Sequence, residues 1–88
     1  MAKSAEQLLM ALVKEADDLH DRWEVTSVDA WGLVQRAKSL KGRIMTTVAW
    51  GKKEPHYSVY VAVAQMTALE AEFDLYIKNK TENKNDVN

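Results

Sequence analysis

Cysteine is missing from this chain of 88 residues, and with it go disulfides, thiolate metal sites and a cysteine nucleophile. A small domain without disulfides suits a reducing compartment. No stretch approaches the roughly 20 apolar residues that a membrane helix requires. Acidic Glu6 and the Lys14-Glu15 pair interrupt the region where a signal peptide would need an apolar segment. These absences predict a cytoplasmic protein that does not enter a membrane. The phosphate-loop pattern Gly-x-x-x-x-Gly-Lys, the zinc pattern His-Glu-x-x-His and the nucleophile pattern Gly-x-Ser-x-Gly are missing too. No enzyme activity and no cofactor is therefore expected.

Proline occurs once, at Pro55, and glycine three times, at Gly32, Gly42 and Gly51. Gly51 and Pro55 enclose the one clear break, with Lys52, Lys53 and Glu54 between them. Gly51 fits the residue just past a helix end and Pro55 the first turn of the next helix. No glycine or proline interrupts residues 2–31. A chain of this length is one domain with a modest core of its own, a setting in which oligomerisation often supplies the rest.

What is present is helical periodicity. Ser4-Ala5-Glu6-Gln7 reads as a capping box, and Leu8, Leu9, Leu12, Val13, Ala16, Leu19 and Trp23 follow on one stripe. A second helix opens near Thr26 or Ser27, with Asp29 at its positive end. Its inner stripe is Ala30, Leu33, Ala37, Leu40, Ile44 and Val48, widened by Val34 and Met45. The third carries two stripes: Tyr57, Tyr60, Val61, Ala64, Ala68, Ala71 and Leu75, and Val59, Val63, Met66, Phe73 and Ile77. A helix apolar on two sides is wrapped on both, one side by its own chain and the other by a second subunit or a target. The alternation of Tyr57, Val59, Val61 and Val63 also admits a β-hairpin with residues 46–50, but the alanines and the uninterrupted length favour helix. The expected fold is all-α: an amphipathic N-terminal helix (about 5–24), then a long antiparallel hairpin (about 27–50 and 55–78). The domain spans 1–78, and the polar tail 79–88 is expected to be disordered.

The net charge of −1 is unevenly spread. Arg36, Lys38, Lys41, Arg43, Lys52 and Lys53 make the middle basic between acidic ends, a pattern that antiparallel helices can partly neutralise among themselves. Asp17, His20, Asp21 and Glu24 share neighbouring turns, but a metal site in a bundle needs matching ligands from a facing helix. Glu70, Glu72 and Asp74 are spaced by two and diverge, so a solvated acidic face is expected and no metal. His56 next to Glu54 lacks a nucleophile or second polar cluster.

Large apolar groups remain in surplus: three tryptophans, three tyrosines and four methionines. Trp23 continues the first helical stripe and reads as core. Trp31 lies off the main stripe of the second helix, Trp50 ends that helix at the turn, and Tyr57 and Tyr60 open one stripe of the third. Such groups can complete a small core, and aromatic anchors and methionine are also favoured at interfaces. The expected partner-binding residues are thus Trp31, Arg36, Arg43, Trp50, Lys52, Lys53, Tyr57 and Tyr60. They predict a non-enzymatic interaction protein, a homo-oligomer that binds and modulates an acidic protein through an aromatic patch flanked by cations. Small regulators and inhibitors of mobile elements share this size and motif-poor helical style, a likeness that rests on no particular residue. Two alternatives stay open. One is nucleic-acid binding by the basic segment 36–53. The other is an anionic small ligand, such as a nucleotide, held between subunits.

Overall fold

Ser4 opens the first helix as the capping box predicts. Its hydroxyl accepts from the Gln7 amide at 3.2 Å, and the Gln7 side chain accepts from the Ser4 amide at 3.2 Å, so two donors with no helical partner are satisfied together. The structure is a computed structural model that describes residues 4–51 and 53–86, with side chains of the last helix described as far as Thr81. It contains α1 (Ala5–Arg22), α2 (Ala30–Gly51) and α3 (Tyr57–Asp86). Among the described residues there is no strand. Residues 46–51 close α2 and residues 57–63 open α3, which removes the hairpin alternative. As helix, this stretch puts Val59 and Ala62 into the core, where alternating strands would have left half of it outside.

α1 stops at Trp23, whose backbone turns extended (φ −67°, ψ 131°) while its N–H bonds the His20 carbonyl at 3.2 Å. The next helix starts later than expected. The Ser27 amide bonds the Glu24 carbonyl at 3.0 Å and the Ala30 amide bonds the Ser27 carbonyl at 3.1 Å, so residues 25–29 turn and α2 begins at Ala30. Asp29 stands just outside the helix rather than in its first turn. It accepts the Ser27 hydroxyl, and that bond, then its own backbone amide, and last the Arg22 charge hold its carboxyl below the ordinary 3.8, against a small opposing desolvation.

Three inner stripes meet in one core: Leu9, Leu12, Val13, Ala16 and Leu19 from α1; Leu33, Val34, Ala37, Leu40 and Ile44 from α2; Val59, Ala62, Met66 and Leu69 from α3. No polar or charged side chain among the described residues is buried. Met45, expected to widen the α2 stripe, is 55% exposed. On α3 the two expected stripes separate cleanly. The one through Val59, Val63, Met66 and Phe73 faces α1 and α2, with Ala62 and Leu69 completing it and Ile77 left outside. The one through Tyr57, Val61 and Leu75 faces outward.

Gly51 corrects a sequence expectation. It is the last residue of α2, its backbone is not left-handed, and a Cβ there would sit 3.1 Å from the Ala5 side chain. Close approach of α1 to α2, rather than a turn conformation, is what suits glycine at this position. Gly32 and Gly42 have no neighbour within 4 Å of such a Cβ and produce no close packing. Pro55 precedes α3 by two residues instead of standing in its first turn; His56 takes the capping position, its Nδ1 accepting the Ser58 amide at 3.2 Å.

α3 has 30 residues against 18 for α1, about 45 Å against about 27 Å, and the molecule is long, 60 × 20 × 18 Å. α3 runs past its expected end at Lys78, since an established helix adds one hydrogen bond for each residue it orders. The polar tail expected over 79–88 falls partly on these last turns, where Asn79, Lys80 and Thr81 are exposed. Residues 87–88 lie outside the described residues.

The glycines give a direct test. Gly42→Ala should raise the unfolding free energy by about 0.5–1 kcal/mol, whereas Gly51→Ala should give no gain or a loss, both read from urea denaturation. Asp29 gives a second. A carboxyl lowered by folding stabilises above its unfolded pKa, and that contribution fades as pH falls through the folded value. Asp29→Ala should therefore be less stable than the parent at pH 7, and the gap should close as the pH is taken below about 4.

Candidate interaction surface

The end of the bundle at which α2 passes to α3 holds four of the eight expected binding residues, Trp50, Lys53, Tyr57 and Tyr60. Trp50 lies in the last turn of α2 and Tyr57 in the first of α3; they are 61% and 71% exposed. The His56 ring packs against Tyr57 at 4.4 Å between centroids, tilted by 39°. Tyr60 follows one turn later, also exposed. Lys53 is exposed in the connection, and Lys52 lies outside the described residues. Arg43 precedes Trp50 by seven residues on α2, two turns or about 10 Å along the same face.

At the same end runs a groove of about 420 Å³ between the start of α1, the end of α2, the connection and the start of α3. Leu9, Met10, Val48, Pro55 and Val59 supply its apolar lining, with Lys53, Glu54 and Glu6 at its edge. The sequence reading missed this groove. Its one signal was Met10, a large apolar residue off the α1 stripe, which is 59% exposed.

Trp31 does not join the patch. It is 66% exposed but sits at the opposite end of α2, nineteen residues from Trp50, or about 28 Å. The basic segment is also divided. Arg36 pairs with Glu15 of α1 at 3.6 Å, and Lys41 donates to Glu70 of α3 at 2.5 Å with both side chains largely covered. Helix-to-helix neutralisation thus engages two of the six cations. Among the described residues, Lys38, Arg43 and Lys53 form no ion pair. A second, open depression of about 570 Å³ lies over Glu15, Asp18, Asp21, Arg22 and Arg36; it has only charged, solvated walls.

Two of the acidic positions of α3 make structural contacts. Glu70 meets Lys41, and Glu72 accepts the Trp23 indole N–H at 2.9 Å. Trp23 also packs edge-on against Phe73, 6.3 Å between centroids, which locks the end of α1 to α3. Among the described residues, no three His, Cys, Asp or Glu side chains gather as a metal site. No described helix is long and apolar enough to cross a membrane. Comparison with protein-family models, with curated proteins and with solved structures yields no match.

Exposed and structural tryptophans should separate in stability. Trp50→Ala should change the unfolding free energy by no more than about 0.5 kcal/mol. Trp23→Ala should cost about 2–3 kcal/mol, below the range for a fully buried aromatic because Trp23 is half-covered. Thermal melts followed by circular dichroism measure both.

Proposed function

We propose that this protein is a non-enzymatic interaction module that binds an acidic protein through the α2–α3 end of its bundle and modulates it by covering the surface it occupies. The observation that carries this reading is that Trp50, Tyr57 and Tyr60, all more than half exposed, lie at one end of the bundle, which also holds an apolar groove and the cations Arg43 and Lys53. Exposed aromatics are the usual anchors of an interface. Cations around them choose partners by charge and speed encounter more than they add affinity. A regulatory or inhibitory role fits a chain with no fully buried polar residue among the described residues, since binding then acts by occupancy.

Nucleic-acid binding through 36–53 is the weaker reading. Arg36 and Lys41 are engaged by Glu15 and Glu70, so fewer cations remain to displace counterions. A nucleotide between subunits draws support from no described cluster of donors.

Affinity capture with the full chain tests the proposal. A specific protein partner should be retained by the parent and lost with Trp50→Ala/Tyr57→Ala, a variant that stays folded. Retention of every partner by that variant would remove the patch from recognition. Oligonucleotide binding that weakens by orders of magnitude between about 50 and 200 mM salt would move the function to nucleic acid.

A further inference from the structure

The outward face of α3 has a regular pattern. Tyr57, Val61, Ala64, Ala68, Ala71 and Leu75 are all exposed, and their spacing alternates four, three, four, three, four. A strict 3.5-residue repeat is the seam of a left-handed helix pair, narrower than the broad stripe with which a helix faces a globular core. α3 already presents such a core face through Met66 and Leu69, so the seam is a second, separate surface.

We propose that this seam pairs with the same seam of a second copy of the chain, antiparallel, about a two-fold axis level with Met66. The pattern reads identically from either end. Reversed on itself, it sets Tyr57 against Leu75, Val61 against Ala71 and Ala64 against Ala68. A two-fold interface requires a self-complementary patch of this kind. Each large side chain at an end meets another large one, and the small residues at the centre let the two helix axes approach within about 8 Å.

The bordering charges choose the direction. Ser58, Gln65 and Glu72 flank one side of the seam, and Tyr60, Thr67 and Asp74 the other. In the antiparallel pair the position of Glu72 opposes that of Ser58, Asp74 faces the Tyr60 phenol, and Thr67 faces its own copy, while the Gln65 Oε1 is already buried within the single chain. No like charges meet. The two Glu72–Asp74 groups stand about 20 Å apart along the axis, more than twice the screening length at physiological salt. A parallel pair would gather all four of those carboxylates at one end. A seam about 27 Å long on a helix about 10 Å wide is small beside the roughly 800 Å² per partner of a standard interface, so the pair exchanges with monomer at micromolar concentration.

The seam shares Tyr57 with the partner-binding reading, but Val61, Ala68 and Ala71 lie outside the α2–α3 end, so variants at these positions test the seam separately. Sedimentation equilibrium of the full chain from about 1 to 500 µM, a range set by that small seam, should show its mass rising from 10.0 kDa to twice that value. Ala68→Glu, at an exposed position, should raise the dimer dissociation constant at least tenfold with an unchanged monomer circular dichroism spectrum. Val61→Glu and Ala71→Lys should each weaken the pair. The double variant Val61→Glu/Ala71→Lys should dimerise more tightly than either, because antiparallel register sets the new opposite charges against each other. A parent that stays monomeric at 500 µM, or a double variant no tighter than the single ones, would overturn the proposal.

Discussion

The rotational setting of α3 is the constraint on which the surface of this protein depends. α3 is apolar on two faces, and only one can meet α1 and α2. The face that turns inward carries Val59, Met66, Leu69 and Phe73; the face left outside carries Ala64, Ala68 and Ala71 through its middle. A buried Met or Leu exceeds Ala by about three heavy atoms, worth about 2 kcal/mol per site at about 0.8 kcal/mol for each methylene. Burying the bulky face therefore wins by several kcal/mol. Two polar contacts hold the same rotation: Lys41 with Glu70 from α2, and the Trp23 indole with Glu72 from the end of α1. Everything exposed on α3, from Tyr57 to Leu75, follows from that choice.

The charge pattern is a consequence of the same packing. A basic middle between acidic ends becomes, in three alternating helices, a basic α2 between acidic neighbours. Glu15 and Glu70 each take one α2 cation. The Lys41–Glu70 pair is the better covered, at 30% and 15% side-chain exposure, so losing one partner would strand a partly desolvated charge. The Arg36–Glu15 pair, about half exposed on both sides, adds little. Positive charge persists toward the α2–α3 end, at Arg43 and Lys53, where the exposed aromatics also lie.

Much of this fold was legible in the sequence, and the illegible part has a common cause. The capping box at Ser4, the stripes of α1 and α2 and the break near Gly51–Pro55 are local signals, decided by residues three or four positions apart. Those signals fix a helix and its core face whenever one face is plainly more apolar. On α3 both faces were apolar, so composition alone could not say which one would be buried; volume against α1 and α2 decided it. The Gly51 contact with Ala5 and the ion pairs of Arg36 and Lys41 likewise depend on a second helix and its rotation. At the candidate site, the separation of Trp31 from Trp50 was present in the sequence spacing, because nineteen helical residues cannot lie within one patch. The groove at the α2–α3 end was not, because it is formed by residues from separate segments that come together only after folding.

Tyr57 belongs to both surfaces of α3, and this ties them together. In the antiparallel pair it lies under Leu75 of the second copy, while in the single chain it is exposed beside His56. A partner that grips Tyr57 at the α2–α3 end must therefore share it with the seam or displace it. Thermodynamic reciprocity requires that whatever such a partner does to pairing, pairing does equally to the partner's affinity. Trp50 and Lys53 lie off the seam and remain accessible in either state. The two α2–α3 ends of a pair would then point in opposite directions, about 27 Å apart along the seam. A partner that needs Tyr57 would select the single chain, whereas one that is satisfied by Trp50, Lys53 and the groove could be held at both ends of the pair at once.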